Sequence, residues 1–334
     1  MRDPVTGFDY PDEWVTRCTS PDTLRLVEEG RMVLTSSGSA LRRGFTTGTT
    51  AAAAAKAAVL SLGDHVDSVI VTLPCGIAVE IPVHGEAGRA SCVKEAGDYP
   101  SDMTAGLEFT AEAEKTPGSM TILFGEGIGR FVRDTPRYKT GAPAVSPPAL
   151  SLIVRSVQEA LGTIGESGIT VRISVSGGVT VGPKTLNPKV GVTGGISVLG
   201  TTGFVEPWDD HLTESTLERI AAAPDPVLTT GRIGLRFSRL LFPDREVILI
   251  GGKITESLAA ASGNVMLCGL PALILRYIDK DILAGTGYAT VEEFAASPQF
   301  DDTCRAALEE FKVRMPRVTV VLINRDGRII GESR

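Results

Sequence analysis

The sequence predicts a mixed fold, α/β and α+β, arranged in two domains. Its 334 residues are more than one ordinary domain needs. β-Branched, strand-like runs surround few helices in the first half, whereas strand-like and helix-like runs alternate beyond residue 203. Hydrophobic residues make up 43% and charged residues 22%, values typical of a folded globular protein. We therefore expect an N-terminal α+β domain followed by a Rossmann-like, doubly wound parallel sheet.

Composition and punctuation suggest where the domains begin and end. Residues 1–40 carry Pro, Asp, Glu and Ser with little periodicity, apart from a short helix over 22–29, and are predicted to be a peripheral arm. Residues 41–210 form the predicted α+β domain, and residues 211–334 form the Rossmann-like domain. The boundary is expected near 205–225, where prolines flank polar sequence.

The first domain contains an alanine-rich helix. Hydroxyl side chains at 46–50 can cap a helix over 51–62, which Gly63 ends. Its small side chains would allow a flat ligand to approach closely, and tight packing on a sheet is an equal alternative. The other predicted elements are strands 66–73, 77–83, 107–113, 120–124 and 168–175 and a helix over 147–161.

The second domain alternates helices with strands. The predicted order is helix 212–223, strand 227–230, helix 235–242, strand 246–250, helix 255–261, an apolar run 265–267, helix 271–278, helix 302–313 and strand 317–323. Such alternation is typical of a parallel sheet, whose ligands bind at the carboxyl ends of the strands.

Charge and hydropathy exclude several classes of protein. The net charge is −7 and the sequence pI is about 5.2, which disfavours nucleic acid and anionic membrane surfaces as partners. No run approaches the ~20 apolar residues that cross a bilayer, and the amino terminus is acidic instead of signal-like. A cytoplasmic protein is expected.

Cysteine and histidine patterns suggest no metal or nucleophile motif. The five cysteines are dispersed without a CxxC pair, so reduced thiols are expected. The three histidines, His65, His84 and His211, lie in polar or turn-like sequence and are interpreted as surface or structural residues. We therefore expect no protein-bound metal and no histidine-based triad.

Three glycine-rich segments are candidate ligand loops. Residues 125–129 follow a predicted strand and are either a nucleotide loop or a tight turn. Residues 191–203 hold five glycines among hydroxyl side chains, after Lys184 and Lys189, and favour an anion-binding nest over a purely structural loop. Gly251 and Gly252 follow another predicted strand, where ligand-binding and structural roles are equally supported.

An acidic loop is a further candidate site. Glu95, Asp98 and Asp102 lie in a loop that contains Pro and Gly. Their carboxylates could accept hydrogen bonds from ribose hydroxyls, exchange protons or coordinate a metal, or they could cap a solvated turn.

Several of these segments, taken together and in order, resemble one known family. They are GFTTGT at 44–49 before the alanine-rich helix with Lys56, KEAGD at 94–98 with Thr104, GIG at 127–129, GAPAVSP at 141–147, TLNP at 185–188 and GGISVLGTTG at 194–203. Over residues 41–206 the chain resembles the CbiD family of cobalt-precorrin-5B (C(1))-methyltransferases. The chain is interpreted as a divergent, archaeal-type branch, because Ala105 stands where the family has a histidine and the carboxyl half lacks the family's histidine motifs.

The resemblance implies an S-adenosylmethionine-dependent methyl transfer to ring carbon 1 of cobalt-precorrin-5B, giving cobalt-precorrin-6A in anaerobic cobalamin biosynthesis. Cobalt would arrive with the corrinoid substrate. Self-association and transient contacts with neighbouring pathway enzymes are also expected. Two alternatives remain: a non-catalytic corrinoid carrier or scaffold, and an unrelated nucleotide-binding enzyme that uses residues 125–129.

The resemblance and the residue chemistry together nominate site residues. The catalytic candidates are Asp98, Asp102 and Thr104. The substrate-binding candidates are Arg43, Thr46, Thr47, Thr49, Lys56, Lys184, Asn187, Ser197, Thr201 and Thr202, with the macrocycle placed over residues 46–56 and 194–203. The candidates for binding the methyl donor are Gly127, Gly129, Gly194, Gly195, Gly251 and Gly252.

Overall fold

The chain is a mixed α/β protein with several sheets and helices, and its computed structural model describes residues 1–99, 102–135, 137–207 and 216–333. It divides into two compact units. The central unit comprises Glu29–Arg31 and Arg42–Pro207, and the terminal unit comprises Met1–Glu28, Met32–Leu41 and Trp208–Arg334.

The chain begins with α1 (Asp12–Arg17), α2 (Pro21–Glu28), β1 (Met32–Leu34) and β2 (Ala40–Arg42). The central unit then adds β3 (Gly44–Phe45), α3 (Thr47–Leu60), β4 (Val66–Thr72), β5 (Ala78–Glu86), β6 (Arg89–Val93), β7 (Glu108–Lys115), β8 (Met120–Phe124), β9 (Gly127–Ile128), β10 (Arg130–Phe131), α4 (Pro147–Ile164), β11 (Ile169–Val175), α5 (Gly178–Val181), β12 (Val192–Thr193), β13 (Gly195–Ile196) and β14 (Phe204–Val205).

A six-stranded sheet in the order β4-β5-β6-β7-β11-β8 is the framework of the central unit. Its neighbouring strands are antiparallel except for β11 and β8. Alternating burial marks one covered face: Val69 and Val71 are buried, whereas Ile70 between them is 61% exposed. The predicted hairpin is confirmed, with Gly76 in its turn at φ +89°.

Helix α3 lies between this sheet and α4. It begins at Thr47, four residues before the predicted start, because the side chain of Thr46 caps it by accepting a hydrogen bond from Thr49 N (3.2 Å). Every alanine of the helix is fully buried. Tight packing is thus the correct alternative for this helix, and the placement of a flat macrocycle over residues 46–56 is wrong for its alanine part.

The terminal unit continues with α6 (Thr216–Ala222), β15 (Val227–Thr229), α7 (Arg232–Leu241), β16 (Val247–Leu249), α8 (Ile254–Ala260), β17 (Val265–Gly269), α9 (Pro271–Ile278), α10 (Val291–Phe294), α11 (Phe300–Arg314), β18 (Val318–Ile323) and β19 (Ile329–Glu332). Its sheet has the order β16-β15-β17-β18-β19. The first four strands are parallel, as predicted, but the last strand, which the sequence analysis missed, is antiparallel to β18.

Both faces of this second sheet are buried. Along β18, Val320 and Leu322 belong to one hydrophobic core, whereas Val321 belongs to the other. The second core also contains Tyr10 and Trp14 from the amino-terminal segment. Residues 1–40 are therefore not a peripheral arm, because their aromatic side chains help to cover the sheet.

Some expectations fall outside the described residues. His211, the first residues of the helix predicted over 212–223, and the predicted boundary between residues 210 and 211 lie there, so that boundary stays a prediction. Among the described residues, no helix is long and apolar enough to cross a membrane.

Candidate functional site

The threonine-rich start of α3 is bonded to the glycine-rich loop at 197–203. Gly48 N donates to Leu199 O (2.8 Å), and Leu199 N donates to the hydroxyl of Thr47 (2.8 Å). The hydroxyl of Thr49 donates to Gly203 O (2.8 Å). Two of the sequence motifs, about 150 residues apart, therefore form one structure.

Two further motifs join the same cluster. Strand β9 runs parallel to β13. Ala144 N donates to Gly129 O (2.7 Å), and Val198 N donates to Ala144 O (2.8 Å). Ser146 N, just before α4, donates to Val198 O (2.9 Å). We call residues 44–50, 127–131, 141–147 and 182–204 the motif cluster.

Close backbone packing explains several glycines of the motif cluster. A Cβ atom on Gly195 would lie 2.2 Å from Gly127 O, and one on Gly127 would lie 2.0 Å from Val175 O. A Cβ atom on Gly129 would lie 2.5 Å from Val192 Cγ1. These three glycines let backbone approach backbone, whereas Gly194 (φ +77°) is exposed and has nothing within 4 Å of its Cβ position.

Asn187 supports the glycine-rich loop from within. The residue is 7% exposed, and its side chain donates to Gly195 O (3.0 Å) and accepts from the hydroxyl of Ser197 (2.8 Å). The hydroxyl of Thr202 bonds the backbone of Phe204 in the same way. These polar side chains are used in holding the loop.

The exposed side chains of the motif cluster, and of Val132 and Arg133 beside it, include cationic and apolar groups. Lys184 and Lys189, each in a short 3₁₀ helix, are exposed, as is Thr201. Arg133 is also exposed and lies beside Gly191, whose Cβ position is 2.9 Å from Arg133 Nε. The exposed apolar side chains here are Val132, Leu186, Val190 and Leu199, each between 41% and 55% exposed. Cationic groups and apolar area thus occur on the same segments.

Two predicted carboxylate-binding residues are engaged inside the protein. The side chain of Arg43 is fully buried and forms an ion pair with Glu206 (Nε to Oε2, 2.8 Å). Lys56 Nζ donates to Glu159 Oε2 (2.6 Å) and to Ile70 O (2.8 Å). These pairings favour structural roles for both residues.

The acidic loop separates into two environments. Asp98 is partly exposed and accepts a hydrogen bond from Arg42 N (2.7 Å), with Arg42 Nε 3.5 Å from its other oxygen. Asp102 is 9% exposed and forms an ion pair with Lys94 (2.7 Å), whose side chain is 1% exposed. Thr104 donates to Asp102 from both its backbone N and its hydroxyl.

This burial alters the acidity of both partners. Burial lowers the pKa of Lys94, although the charge of Asp102 opposes that effect. Burial alone would raise the pKa of Asp102, but the Lys94 charge and the hydrogen bonds from Lys94 and Thr104 together bring it below its usual value. The sequence analysis missed Lys94 as a functional candidate. Its position in phase with the buried Ala90 and Cys92 of β6 was the signal that could have found it.

The remaining candidates lie in the terminal unit. Gly251 and Gly252 follow β16 and precede α8. Gly251 has φ +57°, and nothing lies within 4 Å of the Cβ position of Gly252. This turn leaves its backbone accessible at the carboxyl end of a parallel strand.

The fold and the motif cluster define a mixed α/β protein in which glycine- and threonine-rich loops form one packed structure with exposed cationic and apolar side chains. The model of the CbiD family matches residues 34–207, which include the whole motif cluster. The chain belongs to the CbiD family, as the sequence resemblance indicated.

Similar proteins extend the match to the full chain. A relative from Methanoregula boonei, named cobalt-precorrin-5B C(1)-methyltransferase, is 58% identical over 333 residues and covers 100% of both chains. A relative of the same name from Methanoculleus marisnigri is 58% identical over 335 residues and covers 99% of both. The crystal structure of the cobalamin biosynthesis protein CbiD from Archaeoglobus fulgidus is 39% identical, has a TM-score of 0.56, and covers 83% of this chain and 92% of that chain.

Proposed function

We propose that this protein is a C-methyltransferase that methylates carbon 1 of cobalt-precorrin-5B in cobalamin biosynthesis, with S-adenosylmethionine as the methyl donor. Relatives that carry the methyltransferase name and match the entire chain support the activity. The family and the expected donor chemistry support the choice of S-adenosylmethionine. A cytoplasmic location, self-association and contacts with neighbouring enzymes remain part of the proposal.

The substrate assignment rests on the exposed cationic and apolar side chains of the motif cluster and of Arg133 beside it. A precorrin is a flat apolar macrocycle with carboxylate groups at its rim. Lys184, Lys189 and Arg133 can pair with carboxylates, and the exposed Leu199 and Val190 offer apolar contact to the ring. The substrate therefore binds at these exposed side chains.

The candidate substrate-binding residues, together with the catalytic candidates Asp102 and Thr104, divide into three groups. Lys184, Lys189 and Thr201 contact the corrinoid directly, because they are exposed. A second group positions the loop through hydrogen bonds and consists of Thr47, Thr49, Asn187, Ser197 and Thr202, while Thr46 caps α3. Arg43, Lys56, Asp102 and Thr104 support the central unit from inside.

The methyl transfer does not require a strong acid or a strong base from the protein. The methyl group of a sulfonium donor is already activated, so a ring carbon attacks it while the electron pair of the breaking S–C bond stays on sulfur. The protein's contribution is to hold the ring in line with the donor and to exclude water. Asp98, which is partly exposed, remains the candidate for accepting a hydrogen bond or a proton.

The terminal unit is the proposed donor-binding unit. Numbered within its five-stranded sheet, the strands have the order 2-1-3-4-5 with an antiparallel edge strand, an order that supports a doubly wound, Rossmann-like unit. Ligands of such sheets bind at the carboxyl ends of the strands. Gly251 and Gly252 lie at that edge, and the Cβ position of Gly252 is open, whereas the Cβ positions of Gly127, Gly129 and Gly195 are occupied by neighbouring backbone or side chains. The donor therefore binds at the Gly251 turn in preference to the Gly127 turn.

Mass spectrometry tests the activity. The full chain is incubated anaerobically with cobalt-precorrin-5B and methyl-labelled S-adenosylmethionine, and the expected result is one labelled methyl group in the macrocycle. Tight corrinoid binding without label would refute the enzyme and favour a carrier.

Charge removal tests the substrate surface. The double substitution Lys184→Gln and Lys189→Gln should raise KM about tenfold or more, because charged hydrogen bonds contribute roughly 1.5–3 kcal/mol each when formed, while the melting temperature stays constant. Lys280→Gln, an exposed lysine of the terminal unit, is the matched control. An unchanged KM in the double variant would move the corrinoid site elsewhere.

A further inference from the structure

Two histidines and an aspartate meet on the exposed face of the central sheet, away from the motif cluster in sequence. His65 precedes β4, Asp67 lies within it, and His84 lies on β5. The rings of His65 and His84 are 5.4 Å apart between centroids, and Nε2 of His65 is 2.8 Å from Oδ1 of Asp67. One ligand atom from each of the three residues lies within 4.8 Å of the others.

A β-bulge brings Asp67 into this group. The pairing of β4 with β5 shifts register between Val66 and Ser68. Val69 and Val71 face the core, so strict alternation would bury Asp67 with them. At this bulge two residues of β5, Val83 and His84, lie opposite the single residue Asp67 of β4, and Asp67 is exposed beside His84. The bulge thus adds a carboxylate to the two imidazoles.

Histidine is rare in this chain, so a contact between two histidine side chains is informative. The whole sequence has three histidines, and the two that the described residues contain are in edge-to-face contact at this one point. An exposed carboxylate beside one imidazole is an ordinary surface pair, but a second imidazole completes a set of two nitrogen donors and one oxygen donor.

We propose that His65, Asp67 and His84 bind a divalent first-row transition-metal ion, a site independent of the methyl-transfer function. Imidazole nitrogens favour ions such as Zn²⁺, Co²⁺ and Ni²⁺ over Mg²⁺ and Ca²⁺, which prefer oxygen ligands. The site is open to solvent, with side chains of His65 and Asp67 50% and 83% exposed, so water completes the coordination.

The geometry needs only side-chain rotation to accept an ion. Donor atoms about 2.1 Å from a tetrahedral metal ion lie roughly 3.4 Å from one another. The three donor atoms here lie within 4.8 Å of one another, so each pair has to move closer by about 1.4 Å or less. The exposed side chains have room to rotate, whereas the backbone of β4 and β5 is held by the sheet. Binding would link β4 to β5 at the bulge and stabilise the folded central unit.

Metal binding to the full chain without an affinity tag tests the proposal. After removal of metals with a chelator, titration with Co²⁺ followed by visible absorption, and with Zn²⁺ followed by calorimetry, should show one saturable site. His84→Gln should weaken this binding at least tenfold, Asp67→Asn should weaken it less, and Zn²⁺ should raise the melting temperature of the unsubstituted protein but not that of His84→Gln.

Glu80→Gln is the matched control. Glu80 lies on the same face of β5 and accepts a hydrogen bond from Ser68, but it is not one of the three ligands, so its loss should leave the affinity unchanged. Absence of saturable binding, or binding that is equal in the unsubstituted protein and in His84→Gln, would overturn the proposal. Neither result would bear on methyl transfer, which is measured separately.

Discussion

The buried ion pair between Lys94 and Asp102 allows a sharp separation of structural from catalytic roles. Replacing Asp102 with asparagine keeps the shape of the side chain and leaves an oxygen that can accept from Thr104. It removes the negative charge 2.7 Å from Lys94 Nζ. Since the side chain of Lys94 is 1% exposed, water cannot replace the lost partner.

The expected cost follows from this burial. Removing one partner of a buried ion pair destabilises a protein by about 3–5 kcal/mol. At ~2–4 °C per kcal/mol for a protein unit of this size, Asp102→Asn should lower the melting temperature by roughly 6–20 °C.

Because the folded pKa of Asp102 is lowered, its stabilisation is fully present above the usual carboxyl pKa of about 3.9. It is lost as the pH falls from there through the folded pKa.

A double-mutant cycle measures the effect. Thermal and urea unfolding are followed for Asp102→Asn, for Lys94→Met, and for both together, and the double variant should be less destabilised than the sum of the two single variants. The lower bound of the expected shift in melting temperature is ~6 °C. If Asp102→Asn instead melts within about 2 °C of the parent and abolishes methyl transfer, the structural assignment fails and Asp102 is catalytic.

Three further predictions concern packing. Gly195→Ala should destabilise the protein by about 1–3 kcal/mol through overpacking against Gly127 O, so corrinoid binding and melting temperature should fall together; loss of binding alone would return Gly195 to the ligand site. Gly162→Ala should stabilise α4 by roughly 0.5–1 kcal/mol, because nothing lies within 4 Å of its Cβ position, and a lower urea midpoint would contradict this. Trp14→Ala should cost ~3–5 kcal/mol by opening the core of the terminal unit, whereas a peripheral arm would leave its urea midpoint unchanged.

Local signals predicted many elements of the fold well. Helix α9 has the predicted bounds, because Pro271 at its first turn and the apolar run after it specify a start and a buried face. The hairpin of β4 and β5 follows from two β-branched runs around a Pro-Cys-Gly turn. Strand β19 was missed, because the short run Ile329–Glu332 becomes a strand only by pairing with β18.

Long-range pairing limited the prediction of the site. The motifs were found, but the roles of Gly127 and Gly195 depend on mutual contact between residues far apart in the chain. Likewise, Arg43 pairs with Glu206 and Lys56 pairs with Glu159. These two cationic side chains, which the sequence analysis assigned to substrate binding, are therefore engaged within the protein. Side-chain type predicted the chemistry available, and tertiary contacts decided which groups remain free to use it.

The terminal unit is made from both ends of the numbered sequence, with the central unit inserted between residues 41 and 208. During synthesis the central unit can fold as soon as its last residues leave the ribosome, while Tyr10 and Trp14 wait for the strands that they cover. At ~5–20 residues per second, that delay is at least several seconds beyond the synthesis of the central unit. The aromatic side chains of Tyr10 and Trp14 therefore stay without these core partners in the nascent chain until the later strands have been synthesised.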